Sequence, residues 1–171
     1  IVCPTSLVYN WVQELQKFAP HIQSVAYHGA QRNIDAVSKP DNSVVITTYG
    51  TLRSDIEKIK DINFDVVVID ESHNIKNPAA IITRSVNQLQ ARMRIALSGT
   101  PVMNNTFDLY AQLNFLLPGM FGNREFFKRE YADAIDLDQD PEKIKALPKL
   151  TAPFILRRTK KELLTELPDK I

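Results

Sequence analysis

The sequence predicts an α/β fold of three layers, a parallel sheet between helices, with a helical addition at its C-terminal side. Three observations carry this. Short apolar runs alternate with segments of helical period through residues 1–98. Most of the runs are continuous rather than alternating, as expected of strands covered on both faces. After Pro101 the strand signals stop and helical periodicity alone remains. The order β-α-β-β-α-β-α-β fits one sheet with helical crossovers.

The first run is "IVC" (1–3), followed by Leu7, Trp11, Leu15 and Phe18 at helical spacing. Trp11 could stack on a nucleic-acid base, but that spacing favours a core position in the first helix. "SVAYH" (24–28) is the one alternating strand, and "SVVITTY" (43–49) is the next continuous one. Leu52, Ile56 and Ile59 mark the second helix, and "DVVVID" (65–70) the fourth strand. Asn77 followed by Pro78 is an N-cap and first-turn pair, predicting a helix through Ile82, Val86 and Leu89. "RIALS" (94–98) is the fifth strand. Helices are then predicted over 107–117, 124–132 and 142–150, the last capped by Asp140-Pro141. The polar stretch 135–143 reads as an exposed turn. Thr159 and Glu162 have capping-box spacing for a final helix. The expected division is an α/β core over 1–105 and a helical extension over 106–171.

Composition is that of an ordinary globular chain, 44% hydrophobic and 24% charged, with formal net charge +1. Any basic surface for nucleic acid is therefore local rather than global. A single cysteine, Cys3, excludes an internal disulfide framework and, inside the first strand, is expected to be buried and inert. No apolar run approaches the roughly 20 residues of a membrane span, so no membrane partner is expected. The sequence opens on strand residues without a methionine, which reads as a piece of a longer protein.

The fourth strand ends in two adjacent carboxylates, Asp70 and Glu71, with His73 two residues on. Ligands of open α/β sheets bind beyond the carboxyl ends of the strands. Adjacent carboxylates leaving a strand can address different atoms. One can hold a divalent cation while the other orients a water for attack on phosphorus, and the cation relieves the repulsion between them. Plainer readings stay open: Asp70 capping the next turn with Glu71 solvated, or a zinc site of Asp70, Glu71 and His73. The fifth strand ends in Ser98-Gly99-Thr100-Pro101, small groups able to approach the neighbouring strand end closely.

These blocks resemble a known family. "VVVIDESHNIKNP" (66–78) is similar to the Walker B box of superfamily-two helicases, and more narrowly of Swi/Snf-type DNA-dependent ATPases. "ALSGTPVMNN" (96–105) resembles their motif III, "IVCPTSLVYNW" (1–11) motif Ia and "VVITTYGTLR" (44–53) motif Ib. "YHGAQR" (27–32) and "PFILRRTKKELLTELPDK" (153–170) resemble blocks of the Swi/Snf group itself.

The resemblance implies a RecA-like fold, the first of two ATPase lobes, with ATP and Mg²⁺ as cofactors. It implies that Asp70 coordinates Mg²⁺ and Glu71 polarises the attacking water. His73 would couple the nucleotide site to motif III, where Ser98 and Thr100 are its partners. Thr5, Ser6, Thr47, Thr48 and Tyr49 would lie along the tracked strand of double-stranded DNA. The helices after motif III would form the lobe's protrusion, and Arg157 and Arg158 would face the second RecA-like lobe. What the motor would move, a nucleosome, RNA polymerase or another DNA-bound protein, is open, as is a cytoplasmic or a nuclear location. The family's glycine-rich phosphate loop and its arginine-finger lobe are not within these residues. A lobe without catalysis that only docks DNA or a protein is the alternative.

Overall fold

The computed structural model describes residues 1–38, 43–99 and 106–158. Five strands form one sheet: β1 (Val2–Cys3), β2 (Gln23–Tyr27), β3 (Ser43–Thr48), β4 (Asn63–Ile69) and β5 (Gln90–Ala96). Their order is β2-β3-β1-β4-β5, and every pair is parallel. All five carboxyl ends therefore lie on one rim. The ends of β2, β3 and β1 occupy one side of it, and those of β4 and β5 the other.

Side-chain alternation sorts the two faces. Val2 of β1 and Val67 and Ile69 of β4 enter one core with α2 (Tyr49–Ile59) and α3 (Ile81–Asn87). Cys3 and Ile46 enter the other, under α1 (Val8–Phe18). Cys3 is fully buried, and burial raises its thiol to about 11, so it is inert at neutral pH, as expected.

Three elements depart from expectation. The Asn77 side chain accepts from the Ala79 N–H, a turn of its own, and α3 begins only at Ile81. Tyr49 opens α2 rather than closing β3, because the Thr48 hydroxyl accepts from the Thr51 N–H as an N-cap. Among the described residues nothing covers the face of β4 and β5 on α1's side, where Val66, Met93 and Ile95 are exposed. Among the described residues nothing pairs with the outer edge of β5.

An apolar parallel edge strand is a template for another strand. The 171-residue chain is expected to self-associate as its concentration rises, and Ile95→Lys to suppress this. Sedimentation velocity at two concentrations checks it; a monomer at both would remove the edge as an adhesive surface.

The helical addition begins with α4 (Thr106–Leu116), which faces both ways: Phe115 enters the α2–α3 core, whereas Tyr110 and Leu113 enter a second cluster. That cluster is aromatic and centres on Phe127 of α5 (Arg124–Phe127). The chain continues through a π-helical turn, Lys128–Asp133, into α6 (Ala134–Asp136). Of the stretch 135–143 expected as a turn, only 137–140 lie outside helices, and the Asp140 carboxylate caps α7 (Pro141–Thr151) through the Glu142 and Lys143 N–H groups. The expected capping box at Thr159 and Glu162 lies outside the described residues.

Candidate functional site

Asp70 leaves β4 on the rim between β1 and β5 and is anchored at four points. Its N–H donates to the Val2 carbonyl at 2.8 Å. Its carbonyl accepts from the Tyr49 hydroxyl at 2.7 Å. In the carboxylate, Oδ1 accepts from the Glu71 N–H at 2.8 Å and Oδ2 from the Trp11 indole N–H at 3.0 Å. The carboxylate position is thus set by β1, α1 and α2 together. Burial, with the Asp70 carboxylate as the second cause, pushes the Tyr49 phenol far above its ordinary range, so it stays a donor.

Glu71 turns the chain away from the strand with φ 51° and ψ 55°. This left-handed geometry is strained for a non-glycine residue and is characteristic of functional turns. It separates the two carboxylates: the Glu71 side chain lies 3.2 Å from His73 Nδ1, and both groups are accessible to solvent. Asn74 holds the Glu71 carbonyl through its backbone N–H and its side-chain amide.

Ser72 is fully buried and donates to Gln112 Oε1 of α4 at 3.2 Å. Its N–H donates to the Leu97 carbonyl at 2.8 Å. That bond, with Leu97 N–H to the Ile69 carbonyl, carries the β4–β5 ladder past the strand ends. Exposed Ser98 is thereby brought beside the Asp70–Ser72 turn. Thr100 lies outside the described residues.

The other half of the rim holds the residues assigned to DNA. Thr5 and Ser6, in the 3-10 turn Thr5–Leu7 after β1, are exposed. Thr47, Thr48 and Tyr49 are buried. Their hydroxyls serve the fold: Thr47 donates to the Tyr27 carbonyl, Thr48 to Thr51 Oγ1 and Tyr49 to the Asp70 carbonyl. Each of these hydroxyls has a partner within the fold.

A neighbouring cluster stiffens the same rim. Buried Asp55, at a non-helical kink in α2, accepts from Tyr27 Oη and Arg32 Nε. The Arg32 guanidinium is the main cause that holds the Asp55 carboxyl below its ordinary range.

Asp70 and Glu71 are hard oxygen donors of the kind Mg²⁺ takes. The two bonds on the Asp70 carboxylate leave further lone pairs open. Among the described residues no three His, Cys, Asp or Glu side chains converge on one point. A cation at Asp70 would complete its shell from water and a ligand's oxygens, as Mg²⁺ does in nucleotide sites. The residues present fit such an ion.

Trp11 is the residue that sequence reasoning placed but did not understand. Its spacing places it on the apolar face of α1, and it packs half-buried against the cluster of Cys3, Val8 and Ile46. The overlooked signal was the indole N–H, which needs a partner when the ring is buried.

The SNF2-related domain family matches residues 1–171. An uncharacterized ATP-dependent helicase of Mycoplasma genitalium is 38% identical over the whole chain, which spans 16% of that protein. The TATA-binding protein-associated factor mot1 of Aspergillus fumigatus is 39% identical, again over the whole chain, which spans 10% of it. Among solved structures, the Sulfolobus solfataricus SWI2/SNF2 ATPase core in complex with dsDNA has a TM-score of 0.85 and 39% identity. That match covers 99% of this chain and 36% of the other. The same core domain solved as "Sulfolobus solfataricus SWI2/SNF2 ATPase core domain" gives 0.79. With a parallel RecA-like sheet and these relatives along its full length, the chain belongs to the SNF2-related domain family of Swi/Snf-type, helicase-like ATPases.

Proposed function

We propose that this chain is the hydrolytic part of the first lobe of an ATP-driven motor that tracks double-stranded DNA without separating its strands. The observation that carries the reading is the four-point anchoring of Asp70 next to Glu71 in a strained turn. A fixed carboxylate beside a solvent-accessible one is the arrangement that metal–triphosphate hydrolysis needs.

In this reading Asp70 holds the magnesium of Mg·ATP. The ion, when bound, neutralises charge on the phosphate oxygens. Glu71 accepts the proton of the attacking water, for which its half-buried carboxylate is solvent-accessible beside His73. His73, against the Glu71 carboxylate, links that base to the segment of Ser98 and Thr100. Ser72 N–H on the Leu97 carbonyl supports the link, because it fixes that segment's start to the carboxylate turn.

Direct phosphate contact falls to exposed Thr5 and Ser6, which carry no base-reading geometry and so suit a motor indifferent to sequence. Thr47, Thr48 and Tyr49 act behind them as braces of the rim. The dsDNA in the Sulfolobus complex supports this choice of polymer. Arg157 and Arg158, exposed at the end of the described chain, would meet a second lobe.

The test is hydrolysis by the full-length parent with and without blunt duplex DNA. Turnover is expected to rise with DNA while a strand-displacement substrate stays intact. Absence of hydrolysis under both conditions would favour a lobe that only docks, and strand separation would favour a true helicase.

A further inference from the structure

Beyond its place in the core, we propose that Trp11 is a positioning residue: it ties the Asp70 carboxylate to the DNA-facing start of α1, and so couples DNA contact to the metal site. The proposal rests on the function proposed above. Its physical basis is one hydrogen bond across 59 residues of sequence, Trp11 Nε1 to Asp70 Oδ2 at 3.0 Å.

The indole N–H is a donor and nothing else, so at this contact it fixes which Asp70 oxygen turns inward. The other oxygen is held by the Glu71 N–H, and the backbone by Val2 and Tyr49. Trp11 therefore supplies the one constraint on the carboxylate that comes from α1. On its far side an open cleft of about 380 Å³ is lined by Asn10, Glu14, Leu15 and Phe18, with Trp11 and Asp70 in its wall. The contact lies at the edge of the core rather than in its middle. The hydrogen bond, not the filling of volume, distinguishes Trp from Phe at this position.

The same helix begins one residue after the exposed Thr5–Leu7 turn. Trp11 follows Ser6 by five residues, roughly 8 Å along a helical path. α1 packs on the sheet through Val8, Val12 and Leu15, and its first turn, the 3-10 turn and β1 are linked through Pro4. A phosphate drawn onto Thr5 and Ser6 pulls on a short rigid lever whose other arm is the indole N–H. Reorientation of that N–H changes which Asp70 lone pairs face the cation. A hydrogen bond to a charged group is worth enough to alter an equilibrium about tenfold or more.

The decisive variant is Trp11→Phe in the full-length parent, which keeps the aromatic packing and deletes the N–H. Leu15→Ala is the packing control, since Leu15 joins the same cluster and has no polar side-chain atom to offer Asp70. Three quantities are read: affinity for a DNA duplex, the Mg²⁺ concentration giving half-maximal binding of a fluorescent ADP, and the ratio of DNA-stimulated to basal kcat. For Trp11→Phe the Mg²⁺ requirement is expected to rise about tenfold and the stimulation ratio to fall by a similar factor, with duplex affinity unchanged. Leu15→Ala is expected to lower Tm and leave all three as they are.

A Trp11→Phe protein with wild-type Mg²⁺ requirement and stimulation ratio overturns the proposal and leaves the functional reading standing. Equal losses in both variants overturn it too, by reducing Trp11 to packing. If wild-type turnover ignores DNA, the functional reading and the coupling fall together.

Discussion

Glu71→Gln in the full-length parent is expected to lower ATP turnover about 100-fold or more, the range over which a positioned general base acts, while Mg·ATP binding stays largely intact. The substitution is close to isosteric. Glutamine accepts the left-handed φ of 51° no worse than glutamate does, and its amide carbonyl can still face His73 Nδ1. What it removes is the capacity to take a proton. Loss of turnover with binding retained would be a loss in the transition state alone. Asp70→Asn is the complement. It spares the backbone anchors to Val2 and Tyr49 but weakens the oxygen offered to the cation, so the Mg²⁺ dependence of nucleotide binding should shift before anything else does. Turnover by Glu71→Gln within a factor of about two of wild type would take Glu71 out of the role.

The division between these two carboxylates is only half visible in the amino-acid order. That an acidic pair sits at a parallel strand's end follows from "VVVIDE" alone, because a continuous apolar run reads as an interior strand and must end at a rim, although Val66 itself is exposed. That the pair diverges, one acid toward Trp11 and the other toward His73, depends on a positive φ at Glu71. No local rule assigns that to a glutamate, which is disfavoured there relative to glycine or asparagine. The long-range partners were invisible for a related reason. Helical spacing identifies which face of α1 is apolar, and so finds Trp11, but periodicity says nothing about where one polar atom on an apolar ring will point. Ser72 shows the same limit: its size was legible, its bond to Gln112 was not.

Elements whose signal is local and strong were legible, among them β4 and the cap at Asp140, whereas β5 runs over Gln90–Ala96 rather than 94–98. Those where two local rules compete were not. Asn77-Pro78 satisfies the rules for an N-cap and for a turn equally well, and the chain takes the turn. Tyr49 could have continued β3, but Thr48 ends that strand and caps α2, so Tyr49 opens the helix. The π-helical turn at Lys128–Asp133 leaves no mark in the apolar pattern, since one extra residue shifts the register by less than the width of an apolar face.

The second large effect concerns the helical addition. Phe127→Ala is expected to destabilise the chain by about 3–5 kcal/mol, a substantial part of what a domain this size has to lose. Phe127 is fully buried. Its ring lies 5.1 Å from Tyr110, 6.2 Å from Phe121 and 5.2 Å from Tyr131, so truncation opens a cavity among rigid rings that collapse poorly. Where the loss registers is the more informative outcome. Trp11 is the sole tryptophan and sits in the cluster under α1, on the opposite side of the sheet from α4. If the addition were a separate unit, urea denaturation followed by Trp11 fluorescence would be unmoved, and far-UV circular dichroism would split into two transitions. The geometry argues against that. α4 places Tyr110 and Leu113 in the aromatic cluster, Phe115 in the core against α2 and α3, and Gln112 against Ser72 of the carboxylate turn. Arg94 of β5 adds a bond to the Phe115 carbonyl. A helix shared by both cores cannot lose one without straining the other, so both probes should shift together to lower urea with one midpoint. Loosening of the addition would then reach Ser72, and through it the turn that presents Glu71.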